Sequence, residues 1–414
     1  MNISINIEGN QGIIQIFSVE NDGKAERTKK KKRKKNKNGC SKKNNKQSPT
    51  PPKSEAEAEE REAKPLLLSE LENKEQTQHI VQEILEEIQD VYTPKKKDNL
   101  FLSNIYKQLY FNFGDEFNYY YANKSERMYW CGSLLAFEVN GSEKKLVKAN
   151  SCHVRLCPLC MWRRSLKCYR EMRIIYDYVK QQEPDSKFLS LVLTQKNVSS
   201  EKLSMELDAI LYAFNKFTKL DKIKTICLGF IRSLEVTYNR EADTYHPHIH
   251  LLIHTTNGLY RGRNYLSQEK YRKMWSDMLG LEYLPQVRVE KFKARNPNQE
   301  GRELAEMCKY TVKPSNFLFP DDEELSKRVT KVLDNALANR RLLSYGGSLR
   351  RARKKLLLSD EEELQEEDDI AVEDKTDEGY IELYRWHFGD MKYKHLHGEE
   401  RENVLAHIKW GAEE

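Results

Sequence analysis

Three histidines alternate along His246-Pro247-His248-Ile249-His250-Leu251-Leu252-Ile253. In an extended strand, residues i, i+2 and i+4 leave the same face. The three imidazoles therefore converge, while Ile249, Leu251 and Ile253 point the other way, into a core. Burying three unpaired imidazoles would be costly. Imidazole is a common ligand of divalent metals, so a metal-binding face accounts for the pattern better than an exposed polar one. A second strand pattern covers 229–238, and the polar stretch Asn239-Arg240-Glu241-Ala242-Asp243 separates the two. A hairpin about that turn sets Glu235 opposite His248, with Cβ atoms about 5 Å apart. Glu235 would complete the site or orient a ligand, and the third ligand is open between His246 and Glu235. A mixed imidazole–carboxylate site with vacant positions suits Mg²⁺ or Mn²⁺ bound to a substrate phosphate.

A metal that polarises a phosphate needs a nucleophile nearby. Glu306-Met307-Cys308-Lys309-Tyr310-Thr311-Val312-Lys313 offers one. On a helix, Glu306 and Tyr310 share a face, and Lys313 follows on the same face before Pro314 ends the helix. A tyrosine oxygen can attack a phosphodiester. Its pKa is about 10, so it needs a neighbouring cation to ionise, and Lys313 with the metal would supply that field. Glu306 could then serve as a general base.

The cysteines suggest a second metal site. Cys157-Pro158-Leu159-Cys160 is a C-x-x-C knuckle, with Cys152 and Cys131 upstream. Four such ligands can hold zinc in a tetrahedron. His153 could replace one cysteine, and buried free thiols are the plain alternative. A redox pair is disfavoured because no thioredoxin-like strand precedes the knuckle. Arg163 and Arg164 follow at the start of a helix, where they suit phosphate contacts; Lys309 is a further candidate for DNA binding.

The elements that must position these groups fall between about 99 and 345. Strand patterns occupy 188–194, 229–238 and 246–254, and helical patterns occupy 162–182 and 201–219. Strands mixed with helices imply an α/β or α+β body. The aromatic-rich stretch 111–130 reads mainly as core, with a base-stacking surface as the lesser reading. An apolar helical pattern covers 66–91, and Thr93-Pro94 should end it. The division expected is a disordered, basic, low-complexity tail at 1–64, a helical segment at 65–95 and a main domain at 98–350. Within the main domain, the cysteine knuckle covers 131–164 and the catalytic core about 186–318. A basic-then-acidic linker with a small C-terminal element fills 351–414.

Charge is strongly segregated. The 414-residue chain has a formal net charge of only +6, yet 24–46 holds thirteen Lys/Arg against one acid. Residues 360–378 hold twelve acids against one Lys. Such blocks, poor in apolar residues, are expected to be disordered. The basic tail reads as solvated, as a nonspecific DNA-binding arm or, ranked last, as a nuclear import signal. No run of about 18 apolar residues exists, which argues against a spanning helix and a membrane role. The N-terminus has no secretory pattern, and the cysteine usage fits a reducing cytoplasm.

The ordered motifs together resemble the rolling-circle plasmid replication initiators of the HUH endonuclease superfamily, in particular the single-tyrosine group of Gram-positive bacterial plasmids. FLSLVLTQKN (188–197) resembles the first family motif. HPHIHLLI (246–253) resembles the second, with His248 and His250 as paired ligands. ELAEMCKYTVKPSNF (303–317) resembles the third, with Tyr310 as nucleophile and Glu306 as companion acid. The segment 152–164 is also similar to one upstream of the first motif. The resemblance implies a central antiparallel sheet carrying the histidines, with the tyrosine on a flanking helix. It implies nicking at a plasmid's double-strand origin, a 5′-phosphotyrosine link and a free 3′-OH primer. It also implies origin DNA, a host helicase and a DNA polymerase as partners, with an oligomer possible. A related transposase or mobilisation relaxase is disfavoured because relaxases often carry the tyrosine upstream of the histidines. A zinc-stabilised nucleic-acid-binding protein without catalysis is the alternative from another class.

Overall fold

The computed structural model describes residues 81, 82, 84–111, 119–141, 143–255, 265–292, 304, 305, 307, 308, 312–356 and 380–408, and the backbone of two short N-terminal strands. Those strands, β1 (Ile3–Ile7) and β2 (Ile14–Ser18), pair antiparallel. They fall inside the stretch whose overall charge suggested disorder. Locally, Ile alternates with polar residues, which is a strand pattern.

The first long helix departs from expectation at Pro94. A π turn over Ile88–Tyr92 runs directly into α1 (Thr93–Phe111), so Thr93-Pro94 does not end the helix. The Thr93 N–H reaches back to Ile88 O, and Lys95 Nζ donates to Val91 O at 2.8 Å. The widened turn, with a side-chain donor covering a freed carbonyl, accommodates a residue that lacks an N–H. After α2 (Tyr119–Trp130), strands β3 (Leu134–Asn140) and β4 (Glu143–Ala149) form a hairpin. Then come α3 (Pro158–Gln182), β5 (Lys187–Thr194), α4 (Ser200–Phe217), α5 (Asp221–Ile226), β6 (Cys227–Asn239) and β7 (Thr244–Thr255). The chain continues through α6 (Gln268–Leu279), β8 (Val287–Lys291), α7 (Glu323–Leu337), β9 (Leu343–Gly346) and α8 (Gly347–Lys355). It closes with β10 (Tyr380–His387), β11 (Lys392–His395) and α9 (Gly398–His407).

Two larger antiparallel sheets result, so the architecture is α+β, one of the two classes the pattern left open and the one the resemblance implied. The five-stranded sheet has the order β8-β5-β7-β6-β9, and the four-stranded sheet the order β11-β10-β3-β4. Strand β9 lies beyond the 186–318 span read as the core, so the sheet closes on a later segment. The C-terminal strands fold back onto the body, with β10 joining β3.

Alternation on β7 splits the five-stranded sheet into two faces. Ile249, Leu251 and Ile253 enter the main core with Leu207, Ile210 and Phe214 of α4 and Trp275 of α6. Each such burial is worth roughly 1.5–3 kcal/mol. Helix α6 is well delimited: Ser267 Oγ accepts from Lys270 N, and Gly280 closes it at φ 66°. On the opposite face, Leu252 packs with Met172, Ile175 and Val179 of α3 and with Leu349 and Ala352 of α8. That cover lies past His250 along β7, and the histidine end of the face is only half-buried.

Candidate functional site

The β6–β7 hairpin fixes which side chains meet. Its turn is held by Tyr238 Oη donating to Asp243 Oδ1 at 2.7 Å and by Arg328 Nη1 donating to both Asp243 oxygens at 2.8 Å. The resulting register sets Glu235 against His248 and Ser233 against His250. A slip of one residue would send every one of these side chains to the other face.

Glu235 Oε2 lies 2.9 Å from His250 Nε2 and 3.3 Å from His248 Nε2. The three side chains are 10%, 14% and 12% exposed respectively, so the cluster is sheltered but open on one side. Neighbouring ligands of an octahedral ion at about 2.1 Å stand about 3.0 Å apart, and these spacings bracket that value. His248 Nδ1 sits 3.2 Å from His246 O. A proton on Nδ1 would leave Nε2 free as a ligand. Burial raises the Glu235 carboxyl, but hydrogen bonds and charge from His248 and His250 outweigh it and hold it well below the usual carboxylate range.

Glu235, His248 and His250 thus form a group able to hold a metal ion. His246 shares their face, with its ring 5.3 Å from that of His248, but its nitrogens lie outside the group. Its Nδ1 is buried without a hydrogen-bond partner, and burial lowers its pKa.

Glu306, Lys309 and Tyr310 lie outside the described residues. Their neighbours are anchored. Leu304, Met307 and Cys308 are buried in the cluster that contains Leu252, and Cys308 Sγ is 3.3 Å from Met172 Sδ. On the far side Val312 and Phe317 are fully buried. Lys313 is exposed and does not continue a helix. Its backbone is extended, φ −70° and ψ 141°, ahead of a 3₁₀ turn at Pro314–Asn316. A residue before proline is pushed out of the helical region, which is why the shared helix face expected for Lys313 does not form.

The second cluster joins separate elements. Cys131 follows α2, Cys152 follows β4, Cys157 precedes α3, and Cys160 lies in the first turn of α3. Three Sγ–Sγ separations are 3.6–3.7 Å. That is far beyond a disulfide, at about 2.05 Å, and close to the ~3.8 Å edge of a tetrahedron with Zn–S bonds of about 2.3 Å. All four cysteines are at most 3% exposed, and together they can hold a metal ion. His153 is not in the group; it takes φ 55° in the loop between Cys152 and Cys157. Burial pushes the Cys152 and Cys157 thiols up, while hydrogen bonds from the other three thiols hold Cys160 well below the usual range.

The fully buried Lys96 went unnoticed in the sequence. Its Nζ donates to Tyr129 O and Cys131 O, both at 2.7 Å. Nothing local in an amphipathic lysine-rich helix start marks it as interior. Arg163 and Arg164 are half-buried and bonded to Ser151 Oγ and His153 O, so both brace the loop of the knuckle.

The chain is similar to known replication proteins. A family model described as "Replication protein" matches residues 143–394. A protein named "Protein rep" from Lactiplantibacillus plantarum is 34% identical over 285 residues, covering 68% of this chain and 83% of its own length. Others of that name come from Bacillus amyloliquefaciens, 33% identical over 66% of this chain and 85% of its own, and from Streptococcus pneumoniae, 37% identical over 55% and 70%. No solved structure matches the chain significantly. Among the described residues no helix is long and apolar enough to cross a membrane. The chain belongs to the plasmid replication-protein (Rep) family.

Proposed function

We propose that this protein initiates rolling-circle replication by nicking one strand of its plasmid's double-strand origin. The observation that carries the reading is the convergence of Glu235, His248 and His250 on one open sheet face in a Rep-family chain. Tyr310 is the nucleophile. Its phenol gives up its proton to solvent, the phenolate oxygen attacks the scissile phosphorus, an O–P bond forms to the 5′ phosphate, and the P–O3′ bond breaks. The leaving oxygen takes up a proton and becomes the 3′-OH that primes synthesis by the host polymerase behind a host helicase. Glu306 accepts a proton in the closing cleavage, and Lys313 contributes positive charge near the phosphate. Lys309 contacts the DNA backbone.

The donor set fits Mg²⁺ or Mn²⁺, which when bound would polarise the scissile phosphate. Glu235 and His250 hold each other in place, and the His246 carbonyl orients His248. His246 is an outer member of the site rather than a ligand. The four cysteines suit zinc in a closed structural role. Cytoplasmic location follows from reduced thiols and a DNA partner.

A nicking assay on supercoiled plasmid carrying the cognate origin tests this, run with Mg²⁺, with Mn²⁺ and with chelator. Metal-dependent nicking, with a 5′ end that migrates normally only after protease, supports the reading. Tight origin binding without any cleavage would favour the non-catalytic, zinc-stabilised binder.

A further inference from the structure

The run Arg350-Arg351-Ala352-Arg353-Lys354-Lys355 makes α8 the most basic helix described, and the nicking site does not use it. Its side chains divide between two jobs. Leu349 and Ala352 point inward, into the cluster with Ile231 and Leu252. Arg353 is buried as well, 3.3 Å from the Glu171 carboxylate on α3 and 5.0 Å from the Tyr345 ring centroid. One of five cations therefore fastens the helix to the body. Arg350, Arg351, Lys354 and Lys355 are exposed. They form two i, i+4 rows along the outer face. No described carboxylate pairs with Arg350, Arg351 or Lys354. Lys355 lies 5.5 Å over the Tyr178 ring.

The helix cannot drift from the sheet. Gly347 takes φ 58°, and a Cβ there would stand 2.2 Å from Leu228 O. A Cβ on Gly229 would stand 2.4 Å from Ser348 Oγ. His254 Nδ1 pairs with Ser348 Oγ at 2.9 Å. His254 lies on the same face of β7 as His250, four residues or about 13 Å further along. Leu304, Met307 and Cys308, which lead into Tyr310, share the apolar cluster with Leu349 and Ala352. Helix α8 is thus anchored to the sheet about 13 Å along β7 from His250, and it shares its apolar cluster with the segment that leads into Tyr310. The cavity of about 220 Å³ beneath it, between α8 and the end of α3, is a poor anion site. There the Glu183 carboxylate stands 3.5 Å from His254 Nε2.

We propose that the outer ridge of α8, formed by Arg350, Arg351 and Lys354, binds the sugar-phosphate backbone of the DNA strand next to the nick site. Phosphate contacts of this kind fix register and orientation without reading sequence. The inference rests on Tyr310 being the nucleophile only for its placement beside the nick.

The test is salt-dependent binding of the full chain to a mixed-sequence single-stranded 20-mer. Each phosphate contact on single strands contributes about 0.7 to the slope of log K against log salt. Arg350→Ala/Arg351→Ala/Lys354→Ala should make that slope shallower by about 2, at an unchanged melting temperature. Replacing the same residues by the other cation should restore it. Arg350→Ala alone should give about one third of the effect, which keeps the test valid if the triple variant folds poorly. An unchanged slope overturns the proposal, whether or not the protein nicks. Tyr310→Phe should keep the full slope while losing cleavage. If Tyr310→Phe still nicks, the nucleophile assignment fails and the ridge is judged by its slope alone.

Discussion

The histidine and cysteine clusters are built from similar raw material and end in opposite states. Glu235, His248 and His250 keep 10–14% of their side-chain surface on an open sheet face. Cys131, Cys152, Cys157 and Cys160 keep at most 3% and are gathered from four places around α2, β4 and α3. A cluster on one hairpin is held by register and can leave ligand positions vacant. A cluster drawn from several elements holds those elements together and closes around its ion. On the proposed reading, the contrast separates chemistry from cohesion within one chain.

The largest expected effect falls on the open site's reaction. Tyr310→Phe should reduce nicking on the order of 10⁴-fold or more, read on supercoiled origin plasmid, with origin binding intact. Next comes cohesion. Cys157→Ser should abolish zinc binding measured by elemental analysis and lower unfolding stability by more than about 4 kcal/mol. It would break the contrast if it reduced nicking while leaving zinc and stability unchanged. Glu235→Ala or His248→Ala should slow nicking on the order of 10²-fold or more, with little change in melting temperature. His246→Ala should cost clearly less than either, because its nitrogens stand outside the group; an equal loss would place His246 among the ligands.

The smallest effect is a pH dependence away from both clusters. His254 is fully buried, and burial lowers its pKa, with the Glu183 carboxylate opposing and Lys180 reinforcing the shift. Between the lowered value and the ordinary ~6.5, the unfolded chain binds the extra proton. Stability is therefore complete above about pH 6.5 and falls as the pH drops below it. Melting temperatures from pH 7.5 to 5.5 should show this decline, and His254→Gln should flatten it.

Much of the open site was legible because it is local. His246 to Ile253 alternate along one strand, and the short turn at 239–243 predicts the pairing that brings Glu235 to His248. The four-stranded sheet was not legible as a unit. Strand β3 takes Tyr380–Arg385 as its partner across some 240 residues of chain, and neither segment announces the other. Lys96 illustrates the same limit: its burial depends on carbonyls of Tyr129 and Cys131, more than thirty residues away. The Pro94 and Lys313 expectations failed in opposite directions. A π turn absorbed one proline within a helix, while the other proline drew Lys313 out of helical geometry before the helix face was complete.

The most direct test of the account is to map the covalent link. The protein is incubated with a single-stranded origin oligonucleotide and Mn²⁺, digested with trypsin and nuclease, and analysed by mass spectrometry. The account predicts a nucleotide 5′-phosphate on the peptide containing Tyr310, absent when Mn²⁺ is chelated. A link on another tyrosine, or cleavage with no protein-bound nucleotide, would contradict it.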